Sequence, residues 1–256
     1  MFGKRQVATL VAEFLGTGIL TMLILSVKYS SLGSAAFFIA ATAGLTLTFL
    51  TFLFLNVSGG NFNPAVTIGL WSIKKLPGST AFLYVVVQIL GAYGAYSLFT
   101  YFVNQSLPAS SKEWATQIII AEVIGTIILA LGIGSAIYQK FTLGAQAAVT
   151  GLALMIGIIS VSAAVIGLQN PTAVAGVLNP AVALGVKAWT FDLSKSAPFF
   201  MYAIGPVLGA VIGFNGYKYL FSTKSASASA VEVAKPAKAK KAPAKKTAKK
   251  KPAKKK

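Results

Sequence analysis

Six apolar stretches, each long enough to cross a bilayer, lie between residues 7 and 221: Val7–Val27, Ala35–Leu55, Ala81–Val103, Trp114–Tyr138, Ala145–Ile166 and Pro198–Phe221. About 20 apolar residues in a helix span the hydrocarbon. Lipid offers backbone N–H and C=O groups no partner, so these stretches are confined to helices that satisfy their own hydrogen bonds. The fold class predicted is an all-α membrane protein. The run from Val7 has no small-residue cleavage site before polar sequence and is expected to be a retained first span. A chain with neither Cys nor His has no disulfide, thiol or imidazole chemistry. The sequence also shows no nucleophile–base pair, phosphate loop or metal constellation. No enzyme activity, catalytic residue, metal or cofactor is expected.

Only 11% of the residues are charged, and they are unevenly placed. Lys4, Arg5, Lys74, Lys75, Lys140 and the C-terminal tail fall on one side of the six spans, and Lys28, Lys112, Lys187 and Lys195 on the other. The more basic side is the cytoplasmic one, so both termini are expected in the cytoplasm. From Lys224 onward the chain carries 13 Lys against one Glu, which is +12 of the total +18. Two regions follow: 1–223, a membrane domain, and 224–256, a Lys/Ala/Pro tail whose composition predicts disorder. Next to a span, such a tail is suited to anionic lipid head groups, at about 1 kcal/mol per Lys near the surface. Non-specific nucleic-acid binding is the less favoured partner, and a purely solvated tail is the bland alternative.

Two further apolar segments, Asn63–Trp71 and Asn179–Trp189, are too short to span. Each opens with Asn-Pro-Ala: Asn63, Pro64 and Ala65 in the first, Asn179, Pro180 and Ala181 in the second. Asn suits an N-cap, and Pro suits the first helical position, where no N–H is needed. A helix start inside an apolar loop predicts a re-entrant half-helix, tolerated only beside a cavity or buried in protein.

The chain also repeats itself. Ala12-Glu13-x-x-Gly16-Thr17 returns as Ala121-Glu122-x-x-Gly125-Thr126, and Asn63-Pro64-Ala65-Val66 as Asn179-Pro180-Ala181-Val182. Tyr84 with Leu90-Gly91-Ala92 returns as Tyr202 with Leu208-Gly209-Ala210. The copies run over about 1–106 and 113–223. Each holds three spans, an odd number, so the second copy must lie upside down relative to the first. The half-helices then meet near the midplane with their N-termini facing, the arrangement of a site at an inverted-repeat interface. Asn63 and Asn179 could both aim amide donors at a passing oxygen. Glu13 and Glu122, inside spans, read either as proton or ion relays or as acceptors for the irregular N–H groups of the loops. The symmetric recurrence and the lack of a neighbouring cation favour the second role.

Twin Asn-Pro-Ala half-helices, the paired Ala-Glu-x-x-Gly-Thr motifs, and Gln88 ahead of Gly91-Ala92 resemble the major intrinsic protein family, the aquaporins and aquaglyceroporins, over about Val7–Phe221. The resemblance implies an inverted-repeat bundle of six transmembrane helices plus two half-helices, assembled as a homotetramer with one pore per subunit; the plasma membrane is its expected location. Its implied permeants are water and small neutral solutes. It assigns Glu13, Glu122 and Gln88 to structural support. The resemblance also marks a selectivity filter, which falls here on Ala43, Ile158, Gly176 and Val182. Family members usually carry Arg where this chain has Val182. The apolar quartet is expected to be wide enough for glycerol, urea or ammonia, and it leaves exclusion of cations to the half-helix dipoles. Lys187 stands where glycerol-conducting relatives often have a cation, while their accompanying Asp is Ala183 here. A snorkelling role for Lys187 is equally consistent. The loop 167–176 is about nine residues longer than the family pattern, and its Gln169-Asn170-Pro171-Thr172 lies outside the repeat register, so it is read as a turn. The rival readings are a non-conducting junction or scaffold protein of the same fold, and a secondary transporter.

Overall fold

The computed structural model describes residues 3–32, 36–108, 114–166, 176–192 and 196–227. The loop insertion with Asn170-Pro171 and the tail beyond Ser227 lie outside the described residues. Five of the apolar stretches form single helices: α1 (Lys4–Lys28), α2 (Ala36–Ser58), α4 (Gly78–Val103), α5 (Thr116–Tyr138) and α6 (Leu143–Ile166). The sixth is composite: α8 (Ser196–Phe199), a π-helical turn (Phe200–Ile204) and α9 (Gly205–Ser227). Among the described residues, six helical spans are long and apolar enough to cross a membrane, and large apolar side chains such as Leu45, Phe52, Phe82 and Tyr101 face outward from them.

Pro206 explains the π-turn. It has no N–H to return to Tyr202 and its ring would strike that carbonyl, so the backbone widens there. Gly205 N–H instead reaches the Phe200 carbonyl, five residues back.

Both short apolar segments fold as half-helices, α3 (Pro64–Ser72) and α7 (Pro180–Gly185). The second is three residues shorter than the first and stops well before Trp189, where the apolar run ends. Its end is set by Lys187, whose left-handed φ of 60° folds Val186, Lys187 and Ala188 N–H groups back onto the carbonyls of Val182, Leu184 and Ala183. Lys74, with φ 62°, closes α3 the same way. These are left-handed C-terminal caps.

In each copy the first span packs against the last span of its own half, α1 on α4 and α5 on α9. The half-helices cross over instead: α3 lies mainly against α9 and α7 mainly against α4. The halves are also joined along α2 and α6. There Gly44 and Gly151 meet reciprocally, each where a Cβ would run into the carbonyl oxygen of the other; for Gly44 the gap would be 2.7 Å. Helices without a hydrophobic driving force between them rely on such small residues for close approach. The variant Gly44→Val is expected to lower unfolding free energy in detergent by about 1–3 kcal/mol, the usual cost of overpacking. Reversible unfolding in mixed micelles measures it, and an unchanged value would contradict so close a crossing.

Candidate functional site

The N-termini of α3 and α7 are built alike. Asn63 and Asn179 hold extended N-cap backbones, with Pro64 and Pro180 at the first helical positions. Asn63 Oδ1 accepts from the N–H groups of Ala65 (2.8 Å) and Val66 (3.4 Å). Asn179 Oδ1 accepts from Ala181 (3.1 Å) and Val182 (3.3 Å). The amide nitrogens reach across the molecule: Asn63 Nδ2 donates to the Leu178 carbonyl at 2.8 Å, and Asn179 Nδ2 to the Phe62 carbonyl at 2.9 Å. Each half-helix is thereby tied to the loop that leads into the other. A side-chain amide has two N–H donors, so one is spent on this tie and one is left per asparagine. The sequence expectation, that both asparagines could aim amide donors at a passing oxygen, is thereby limited to one N–H from each.

The carbonyls receiving these ties are aimed by strained backbone. Phe62 and Leu178, immediately before the two asparagines, both take left-handed φ, 49° and 54°. Apolar L-residues rarely adopt that conformation, and here the Ala-Glu-x-x-Gly-Thr motif holds it. Glu13 Oε2 accepts from Phe62 N–H at 2.7 Å, and Oε1 from Asn61 N–H at 3.0 Å. Glu122 accepts from the N–H groups of Val177 (2.9 Å) and Leu178 (2.8 Å). One turn on, Gly16 and Gly125 leave the space that the same two loop side chains fill: a Cβ on Gly16 would strike the Phe62 ring, and one on Gly125 the Leu178 side chain. Thr17 and Thr126 return their hydroxyls to the carbonyls of the glutamates, at 2.8 and 2.7 Å. Glutamate and glycine thus serve one purpose, which is to seat the residue before the asparagine.

Gln88 joins the first copy's network, donating from Nε2 to Glu13 Oε2 at 2.8 Å and to Thr67 Oγ1 at 2.9 Å. Two members had no sequence signal of their own. Ser58 donates to Glu13 Oε1 at 2.6 Å, and its carbonyl accepts from Tyr84 Oη at 2.9 Å. Thr67, one turn into α3, meets Gln88. Ser58 closes α2, five residues before Asn63, beyond the Leu55 at which the apolar stretch ends in the sequence.

Of the four residues expected at a filter, Gly176 and Ile158 touch: a Cβ on Gly176 would lie 3.2 Å from the Ile158 carbonyl oxygen. Gly176 has φ 76°, which suits glycine. Val182 is fully buried in the first turn of α7, its N–H on Asn179 Oδ1. Ala43 is fully buried on α2, beside the Gly44–Gly151 crossing. Lys187 holds its ammonium 4.4 Å from the Tyr96 ring centroid, and Lys28 Nζ donates to the Val186 carbonyl at 3.2 Å. Both cations therefore sit at the C-terminal end of α7, where they complement its dipole.

Residues 4–217 match the family model described as Major intrinsic protein. The chain belongs to the major intrinsic protein family. Aquaporin AqpM of Methanothermobacter thermautotrophicus is 35% identical over 179 residues, covering 65% of this chain and 70% of the relative. The glycerol uptake facilitator protein of Pseudomonas aeruginosa is 28% identical over 264 residues, with 89% and 94% covered. Among solved structures, the aquaglyceroporin from Plasmodium falciparum superposes with a TM-score of 0.66 at 24% identity, over 85% of this chain and 99% of that one. The fold is that of an aquaporin, and the protein is an integral, multi-pass membrane channel of this family rather than an enzyme.

Replacing Glu13 by Gln turns one acceptor of this major intrinsic protein into a donor facing other donors. Leaving a buried donor unmatched costs about 1–3 kcal/mol, so Glu13→Gln is expected to lose about that much unfolding free energy in micelles. An unaltered stability would show that the loop is held by something else.

Proposed function

We propose that this chain is a passive channel for water and small uncharged solutes of the glycerol, urea and ammonia class. The supporting observation is the junction of α3 and α7, where Asn63 and Asn179 each keep one amide N–H after the cross-ties. Each helix N-terminus adds roughly half a positive charge. A cation arriving there meets repulsion as it sheds its hydration, while water or a neutral hydroxyl exchanges one set of hydrogen bonds for another. Relatives called aquaporin and glycerol uptake facilitator are in keeping with either permeant.

The outer constriction in this reading is formed by Ala43, Ile158, Gly176 and Val182. None of the four carries a polar side chain, and Val182 replaces the cationic donor usual in the family. With no cation at Val182, the constriction in this reading admits solutes larger than water, and exclusion of protons and cations rests on the two helix N-termini alone. Residues 1–223 form the channel domain of a homotetramer in the plasma membrane, with both termini cytoplasmic. The Lys-rich tail, 224–256, binds anionic lipid at that face.

A secondary transporter would use titratable groups at the midplane. Glu13 and Glu122 are instead occupied by loop N–H groups, and the crossing point offers two neutral amides. A junction or scaffold role would leave the passage without flux.

Stopped-flow light scattering on proteoliposomes distinguishes these readings. The expected result is passage of water together with glycerol and urea. The variant Val182→Arg should cut glycerol and urea flux by roughly tenfold, the effect of about 1.4 kcal/mol of added barrier, and spare water. Water flux without glycerol or urea entry would remove the wide filter; no flux at all would leave the scaffold reading. A proton or cation leak unchanged by Val182→Arg would show that loss of the filter cation is immaterial to exclusion.

A further inference from the structure

Gly44 and Gly151 meet face to face, each blocked by the other's carbonyl, as residues on a local two-fold axis do. That pairing fixes how α2 maps onto α6. The step from 44 to 151 carries Ala43 onto Thr150 and Thr51 onto Ile158. The step from Asn63 to Asn179 likewise carries Gly60 onto Gly176 and Val66 onto Val182. The apolar quartet Ala43, Ile158, Gly176 and Val182 therefore has an image on the other side of the asparagines: Thr150, Thr51, Gly60 and Val66.

Side-chain geometry agrees with this mapping. Gly176 lies against Ile158, with a notional Cβ 3.3 Å from Ile158 Cα; Gly60 lies against Thr51, with the same distance 3.7 Å. Both glycines are left-handed, at φ 76° and 65°. Thr51 stands apart in one respect. Its Oγ1 is the buried side-chain N or O atom without a hydrogen-bond partner among the described residues. Thr17, Thr21, Thr48 and Thr126 all return their hydroxyls to the carbonyl four residues back, the ordinary refuge of a helical threonine. Thr51 does not. A hydroxyl buried without a partner is unfavourable and calls for a partner from outside the protein.

We infer that Thr51, Thr150, Gly60 and Val66 form a second constriction in the inner half of the passage, with the Thr51 hydroxyl as a hydrogen-bonding station for polyol or amide permeants. This rests on the channel reading above. The asparagine amides can only donate through their free N–H, whereas a threonine hydroxyl both donates and accepts. Thr51 thus offers a permeant O–H or N–H a side-chain acceptor that Asn63 and Asn179 cannot supply. A solute that has left its water at the apolar outer ring recovers hydrogen bonds first at the asparagines and then at Thr51. Polarity along the passage is unequal: two threonines occupy the inner ring, none the outer.

The test compares wild type, Thr51→Val and Thr51→Ser in proteoliposomes, with water and glycerol permeability and thermal stability measured for each. Valine keeps the shape and removes the hydroxyl. Glycerol permeability is expected to fall about fivefold in Thr51→Val, the scale of one lost hydrogen bond, while water permeability changes less than about twofold because water is small and less demanding of side-chain partners. Thermal stability should not fall, since no internal hydrogen bond is lost. Thr51→Ser should restore glycerol flux. A conducting wild type that Thr51→Val matches for both solutes overturns the inner station alone. A wild type that conducts neither water nor glycerol overturns the channel reading, and the station with it. A melting point lowered by valine and restored by serine, without any change in the glycerol-to-water ratio, shows a structural hydroxyl and also overturns it.

Discussion

Two stretches of backbone, 60–62 and 176–178, run without helical hydrogen bonds through the interior of a membrane protein, where lipid offers them no partner. Where their N–H groups go determines the rest of the structure. Glu13 takes those of Asn61 and Phe62, and Glu122 those of Val177 and Leu178. With the N–H groups held from one side, the carbonyls of Phe62 and Leu178 are left facing the opposite half-helix, whose asparagine amide closes the link. The carboxyl groups are thus the fixed points from which both helix N-termini are positioned. This use also explains how a chain so poor in charge can keep two carboxyl groups at the core: each is surrounded by donors.

The two halves have diverged around this common frame. The Glu13 network gains Ser58, Gln88 and Thr67. Gln88 corresponds to Pro206 and Thr67 to Ala183 in the second copy, so side chains matching Gln88 and Thr67 are missing there. Pro206 brings the π-turn with it. At the third position after each asparagine the copies agree instead, Val66 matching Val182. The second half-helix therefore presents the same Asn-Pro-Ala-Val start as the first, and its cations, Lys28 and Lys187, lie at its far end.

Much of this was legible in the sequence because it depends on local rules. Apolar length gave the spans, Asn-Pro gave the half-helix starts, and duplication with an odd number of spans gave the inversion. Symmetry and the lack of nearby cations pointed Glu13 and Glu122 towards the loop N–H groups they bond, whereas Gln88, with no counterpart in the second copy, was marked only by the family resemblance. What could not be read depends on long-range contacts. The left-handed Phe62 and Leu178 carry no glycine or asparagine to announce them; their conformation is imposed by carboxyl groups 49 and 56 residues away in sequence. The early end of α7 follows from the left-handed Lys187 in a run that stays apolar to Trp189. The commitment of one amide N–H of each asparagine was hidden because its acceptor is a backbone carbonyl, which no side-chain pattern reveals. Gly16 and Gly125 were visible as repeats, but their purpose appears only once the Phe62 and Leu178 side chains are seen resting on them.

The most direct measurement of the cross-tied junction is a double-mutant cycle on Asn63→Ala and Asn179→Ala, read as unfolding free energy in mixed micelles. Because the two ties close a single interface, breaking one should loosen the other. The double variant is then expected to lose less than the sum of the singles, by about 1 kcal/mol, within the range for residues sharing a hydrogen-bonded network. Additivity to within about 0.3 kcal/mol, the behaviour of independent sites, would contradict the crossed link between the half-helices.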